Sequence, residues 1–542
     1  MNKEITALEM NHTWIITELP PNQPLTDCKW IFRIKLKSDG TIERYNARLV
    51  AKGFTQIEGI DYNENFAPVA KITTVRCLLV VAVIRSWPIF QLDVDNAFLH
   101  GSLDEYVYMK LPPGYFTSER EEGKVCKLTK SLYGLKQTPR QWFAKFTEAL
   151  LEFGFQQSMI DYSLFTLHKG TYFIILLVYV DDVLLTGTSL VLIENIKAFI
   201  HDKLKIKDLE ILKYFLELEV ARNSIGTSLI LIDNIKAFLH DKFKIKDLAI
   251  LKYFLGLEVA RNSTGLFLHQ RKYVMDLITD HDMLDCKQDK TSLPIKHQLS
   301  LSAAPAIEDP MVYRKLVGKL IYLTITRPDL AHSVHILSQY MSTLNADHLK
   351  AANRLLRYIK GAPAHGPFFS ASSPLVITSF CDADWAACPK TRRSTIGFCI
   401  CIGNSLVCWK TKKQAIVSCS SAESEYRAMT ATCFEILWLT RLLSDIKATV
   451  PLPILLDCDN QAALHIAKNH VFHERTEHIE IQCHFVRHHV GNKVLLPVYI
   501  PTNDQPSDLF TKQLPADQLH RLLSKPSVSN FLHTPSCGGY WS

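Results

Sequence analysis

The sequence predicts an α+β chain of several domains, and three observations carry that reading. The first is length, because 542 residues exceed what one hydrophobic core organises. The second is pattern: residues up to about 285 mix short strands and helices, residues 313–360 read as helical, and the last third opens on strands before one long helix. The third is an apolar and aromatic run, Thr171–Val180, that meets Asp181 and Asp182 head on and continues as Val183, Leu184 and Leu185. Two adjacent carboxylates in such a run are a poor way to build a core, since a buried ionised acid is expensive unless it is paired or binds a metal.

Composition is ordinary for a soluble globular protein, with 47% apolar and 21% charged residues and a net charge of +7. That basic excess permits a nucleic-acid partner without requiring one. No apolar run reaches the length of a membrane span, so no membrane partner is expected. Fourteen cysteines without framework spacing, and no signal peptide, lead us to expect a reducing intracellular compartment. Seven histidines lie between His465 and His489, but no Cys-x-x-Cys pair accompanies them, so a zinc site is not expected.

Taken in order, Lys29–Lys52 gathers seven Lys or Arg against Asp39 and Glu43, which is also the make-up of a solvated strand face. Val75–Arg85 reads as a helix, and Pro88–Leu92 as a strand ending at Asp93. Thr171–Val180 is rich in β-branched and aromatic residues and reads as a strand, with Asp181 and Asp182 at a hairpin tip. Gly187–Ile225 and Gly226–Thr264 then form a tandem duplication of period 39, with seven differences and 32 identities. Each copy reads as an amphipathic helix (Leu190–Lys205, Leu229–Lys244), a turn and a strand (Lys213–Val220, Lys252–Val259). Two units are too few for a solenoid, so one copy must occupy a place the fold does not reserve for it.

Cys286–Pro310 reads as a connector, and Tyr313–Lys360 as two helical segments separated by Thr326-Arg327-Pro328-Asp329. After a short linker, Ser370–Pro374, come strands over Leu375–Asp382, Gly397–Ile402 and Ser405–Trp409. A helix follows from about Ser421 to Lys447, with an N-cap residue and first-turn acids at its start. The expected division is 1–285, 286–374, 375–520 and a tail over 521–542.

Asp93, Asp181 and Asp182 supply three carboxylates from two strands. Clustered acids repel one another and are tolerated with divalent metal between them, and hard oxygen ligands suit magnesium. Such a set holds two metal ions in nucleotidyl transfer. The wider motifs Tyr179-Val180-Asp181-Asp182, Gln91-Leu92-Asp93-Val94, Tyr45–Phe54 and Ser131–Arg140 resemble the reverse transcriptase of copia-type LTR retrotransposons. The resemblance starts near Met1 and runs to about Gln518. It implies a right-hand polymerase of fingers, palm and thumb, with Asp93, Asp181 and Asp182 as catalytic metal ligands. It further implies that Phe98 gates the incoming sugar and that Gly134, Lys136 and Gln137 lie against the nascent base pair. Arg48 and Lys52 become candidate triphosphate clamps, although a salt-bridged strand face would look the same. The strand around Gly256 resembles the primer grip, where copy one has Glu217.

Over the last third, Asp382-Ala383-Asp384-Trp385, Ser420-Ser421-Ala422-Glu423, Asp457-Cys458-Asp459-Asn460 and Asn503–Leu509 resemble an α/β ribonuclease H-like domain. Asp382, Glu423, Asp459 and Asp508 are then the implied carboxylates, again with two magnesium ions. Two departures stand out: Gln482 replaces the usual Asp, and Pro501-Thr502-Asn503 sits where some ribonucleases H have a histidine. The resemblance implies an RNA template, a DNA primer, an RNA–DNA hybrid and deoxynucleoside triphosphates as partners, with the Gag and integrase parts of the parent element beside them. It implies a cytoplasmic, virus-like-particle setting with nuclear access, and the C-terminal part of a polyprotein. The competing reading is a degenerate element, inactive or only nucleic-acid binding, because the duplication falls directly after the Asp181–Asp182 hairpin.

Overall fold

The structure is a computed structural model that describes residues 1–36, 41–94, 97–99, 101–115, 123–203, 246–250, 253–295, 299–469, 479–525 and 528–530. It resolves into two compact units, Met1–Ala70 with Phe90–Ile250, and Lys71–Ile89 with Leu251–Ser542. Among the described residues, no helix is long and apolar enough to cross a membrane.

In the first unit, the basic segment forms an antiparallel hairpin, Cys28–Leu36 with Ile42–Ala51, that pairs Ile31 with Arg48. The palm-like sheet has six strands in the order Lys246–Ile250, Ile89–Asp93, Asp182–Gly187, Tyr172–Tyr179, Leu164–Lys169 and Gln156–Gln157. The apolar run reads so continuously because both its faces are covered. Ile174, Leu176 and Val178 join Trp142, Phe146 and Leu150 of the helix Thr138–Phe153 in one core, while Ile175 and Leu177 are fully buried on the other face.

The second unit begins with a surprise of chain routing. The predicted helix Val75–Arg85 is observed as Ile72–Ile84, and it packs with residues more than 300 positions later. It is buried from Thr73 to Val83, as an apolar-all-round helix must be. Arg76 donates to the carbonyls of Val407 and Ile325, and its guanidinium lies 3.6 Å from the Trp409 ring centroid. A mixed five-stranded sheet follows in the order Ser405–Lys413, Thr395–Ile402, Ile377–Asp384, Ile454–Cys458 and Leu495–Tyr499. Its first three strands are antiparallel and its last two join in parallel. The long helix is Ser421–Asp445.

The expected divisions are redrawn in three places. The helical block is three helices, Pro310–Leu323, Ala331–Ser338 and Ala346–Lys360, because Asn345 starts a new helix with a capping box to His348. Those helices share one hydrophobic core with Cys399, Cys401 and Leu406 of the mixed sheet, so 286–374 does not stand apart from 375–520. Within the expected tail, Ala516–Ser524 is a helix running past residue 521, and Val528–Asn530 is a strand paired with His365–Pro367.

Both copies of the duplication contribute described elements. The helix Leu190–Lys203 comes from copy one, and its Leu192, Ile193 and Ile196 enter the first unit's core. The strand Lys246–Ile250, paired with Ile89–Asp93 at Lys246↔Asp93, comes from copy two. So does the hairpin Tyr253–Phe254 with Leu257–Arg261 in the second unit. The strand of copy one and the helix of copy two, Lys213–Val220 and Leu229–Lys244, lie outside the described residues. One residue explains the choice of hairpin. Gly256 turns it with φ +73, and a Cβ there would collide with the Tyr322 hydroxyl, which itself donates to the Leu255 carbonyl. Glu217, its counterpart in copy one, fits neither the backbone nor the space.

Two candidate active sites

The Asp181–Asp182 hairpin is built by the packing beneath it. Tyr179 pairs with Asp182, leaving Val180 and Asp181 as a two-residue turn. Val180 takes φ 59, a conformation β-branched residues avoid. The indole of Trp142 donates to the Val180 carbonyl at 2.8 Å and helps hold it there. Strain of this kind persists where the surroundings over-determine it, and it gathers at functional sites. Asp181 is exposed, and its carbonyl accepts from the Val94 amide at 3.1 Å, which brings the Asp93 strand end beside the turn. The side chain of Asp93 lies outside the described residues. Gln91 donates to Asp182 at 2.9 Å, while burial and the Asp181 charge raise the Asp182 pKa.

The nucleotide-contact expectations fare unevenly. Tyr133 collects two of them: Arg48 lies 4.7 Å above its ring, and Phe98 meets it edge to face at 5.7 Å. Lys52 is committed to Asp27 at 2.6 Å. Gly134, at φ +94, is required because its neighbour across the gap is the Ala51 carbonyl, so its close approach is to this chain's own backbone. Lys136 donates to the Gln56 carbonyl at 2.9 Å. Gln137 is corrected: it is fully buried, donates to the Asp61 carbonyl and accepts from Gln56. It braces the loop and has no face to offer a base pair.

The second site gathers acids from four places in the chain. Asp382 lies near the end of Ile377–Asp384, Asp459 follows Ile454–Cys458, and Asp508 lies in the 3-10 turn Pro506–Phe510. The fourth is Glu425, and the expectation of Glu423 is corrected. Glu423 accepts from the Cys419 amide at 2.7 Å and from Arg427 at 2.8 Å, while its own amide bonds the Ser420 hydroxyl. It belongs to the helix start. The signal was in the sequence, because Ser420-x-x-Glu423 has the pattern of a capped helix start, which leaves the next acid on the helix for the cluster.

Ligand atoms of Glu425, Cys458 and Asp459 all lie within 4.8 Å of one another. Burial and the charges of Asp382 and Asp459 push the Glu425 carboxyl up to about 10. Asp508 rises to about 6 from burial and the charge of Asp382, and burial raises Asp382. Thr502, in the segment where a histidine was absent, donates to Asp459 at 2.8 Å. Lys512 reaches Asp508 at 2.6 Å and Asp382 at 3.1 Å, an ammonium drawn into the group. Hard oxygen donors, mutual repulsion and a cation already between two of them fit a divalent metal site.

The sequence model of the family described as "Reverse transcriptase (RNA-dependent DNA polymerase)" matches residues 11–234 and again 224–296, with the break inside the duplication. The chain is 40% identical over 540 residues to the "Retrovirus-related Pol polyprotein from transposon RE2" of Arabidopsis thaliana, covering 99% of this chain and 34% of that protein. To the polyprotein from transposon TNT 1-94 of Nicotiana tabacum it is 34% identical over 526 residues, covering 96% and 37%. The chain thus spans about a third of the length of these curated relatives. A solved foamy viral protease-reverse transcriptase in complex with RNA/DNA hybrid aligns at TM-score 0.42 and 11% identity, over 92% of this chain and 52% of that one. The chain belongs to the reverse transcriptase (RNA-dependent DNA polymerase) family, in the form carried by Pol polyproteins of copia-type retrotransposons.

Proposed function

We propose that this chain copies RNA into DNA at the Asp181–Asp182 hairpin and cuts the RNA of RNA–DNA hybrids at the Asp382 cluster. The observation that carries the first half is the strained turn that presents Asp181 to solvent beside the end of the Asp93 strand. Four acids from separate elements around Asp382 support the second. At each site two magnesium ions, when bound, supply a Lewis acid for the attacking oxygen and another for the leaving oxygen. Asp93, Asp181 and Asp182 would hold the pair in the polymerase, and Asp382, Glu425, Asp459 and Asp508 in the nuclease.

The chain's own contribution is placement. Gln91 fixes Asp182, Trp142 fixes the turn, and Phe98 and Arg48 stand on Tyr133 beside the basic hairpin. Arg48, 4.7 Å from that ring and exposed, remains the better candidate for a triphosphate contact, because Lys52 is paired. An RNA template, a DNA primer and deoxynucleoside triphosphates are the substrates of this reading. Gag and integrase parts of the parent element are its partners, in a cytoplasmic particle. The alternative, an inactive product, rests on the duplication; against it stands that a helix of copy one and a strand of copy two are both built into the first unit. Primer extension on an RNA template with magnesium, run beside Asp181→Asn, tests the polymerase. Extension that vanishes in the variant supports it, and no extension from folded protein overturns it.

A further inference from the structure

Lys512 is not needed for the helix-like turn it sits on. An ordinary i,i+4 pair with Asp508 would satisfy it, yet its ammonium also reaches Asp382, 130 residues away in sequence. Asp382 is 1% exposed and has both oxygens engaged, Oδ1 by Lys512 and Oδ2 by the Thr511 hydroxyl. A cation that binds Asp382 Oδ1 must share that oxygen with the Lys512 ammonium, and like charges on one atom repel. Thr511 is fully buried, whereas the Lys512 side chain is 33% exposed and ends a flexible four-carbon stem. The group free to leave is therefore the lysine.

We propose that Lys512 is a positioning residue, a tethered cation that holds Asp382 and Asp508 together and has to be displaced when a divalent metal binds. The inference rests on the ribonuclease H reading of this cluster. The lysine and the metal compete for the same two carboxylates. Without metal the ammonium offsets the repulsion that would spread the acids; with metal it is the cost of entry. A site open about a tenth of the time binds its ligand about tenfold more weakly than one always open. The chain would thus trade affinity in the free protein for a cluster that keeps its shape while empty.

The test is a manganese titration of the full chain, followed by electron paramagnetic resonance. An Asp181→Asn/Asp182→Asn background silences the polymerase site. Lys512→Met is expected to lower the metal-free melting temperature and to lower the manganese half-saturation concentration by about tenfold. Lys512→Arg, which keeps the charge, is expected to restore the melting temperature and bind manganese no more tightly than the parent. A merely structural lysine would move stability without tightening the metal. Unchanged or weaker manganese binding in Lys512→Met overturns the proposal, and Lys512→Gln gives the same readout if Lys512→Met does not fold. Asp382→Asn separates the two claims. If it leaves manganese binding intact, the cluster is no metal centre and the ribonuclease H reading falls. If it removes binding while Lys512→Met changes nothing, only the lysine's role falls.

Discussion

The two acid sites solve the same electrostatic problem in opposite ways. At the polymerase hairpin, repulsion is relieved by exposure: Asp181 stands in solvent on a two-residue turn, and its strain sits in the backbone at Val180. In the Asp382 cluster three of the four acids are buried, burial and mutual charge raise Glu425 to about 10 and Asp508 to about 6, and Lys512 offsets part of the repulsion. The first site joins one hairpin to the end of one other strand, whereas the second draws on four elements far apart. An exposed acid can be replaced at little cost to folding; a buried one is bound up with its partners.

The largest effects should fall on activity and should separate the sites. Asp181→Asn is expected to cost primer extension about three orders of magnitude while hybrid cleavage persists, and Glu425→Gln the reverse, read in parallel assays. Equal loss of both activities in either variant would break the comparison.

Acid should act mainly on the second unit. Burial lowers both His269 and His365 to about 4 from an ordinary value near 6.5. The folded state then resists a proton that the unfolded chain accepts, so their contribution is present above pH 6.5 and lost as pH falls towards 4. The loss is at most about 3 kcal/mol for each. Chemical denaturation between pH 7 and 4, with His365→Phe as control, measures it; a variant that keeps the full pH slope excludes His365 as a source.

Smaller effects follow from the repeat and the helix cap. Deleting residues 204–242 removes 39 positions while leaving the helix of copy one and the strand of copy two. Shortening a connection from about forty residues to a few should stabilise by roughly 2 kcal/mol and leave primer extension in place. Lost extension in a folded deletion variant would mean that the extra unit contributes. Glu423→Gln should cost about 1 kcal/mol of stability at the helix start and change hybrid cleavage less than tenfold. A collapse of cleavage there would restore Glu423 to the catalytic set.

What was legible in the sequence follows the same divide. The Asp181–Asp182 hairpin could be read directly, because two acids inside an apolar run are a local contradiction. The motifs named Asp382, Asp459 and Asp508, which the fold brings into one acid cluster, but the helix acid that joins them is Glu425, two residues from the expected Glu423. Gln137 was placed against a base pair because nothing local reveals that the Gln56 side chain and the Asp61 carbonyl already claim it. The helix Ile72–Ile84 announced by its apolar circumference that it would be buried, though not in what. The repeat was plain, yet the hairpin of copy two depends on one differing position, Gly256, and on a tyrosine more than sixty residues later.

That same helix sets a timetable for synthesis. Arg76 finds its first carbonyl at Ile325, 249 residues downstream, and must wait for Val407, 331 residues downstream, to complete its pairing. At ribosomal speeds of about 5–20 residues per second, the wait is roughly 20 to 60 seconds. During that interval the helix Ile72–Ile84, mostly apolar, has left the exit tunnel with its packing incomplete. Apolar surface left uncovered during synthesis is prone to aggregation, so the order in which the partners of this helix emerge matters to folding as well as to the finished fold.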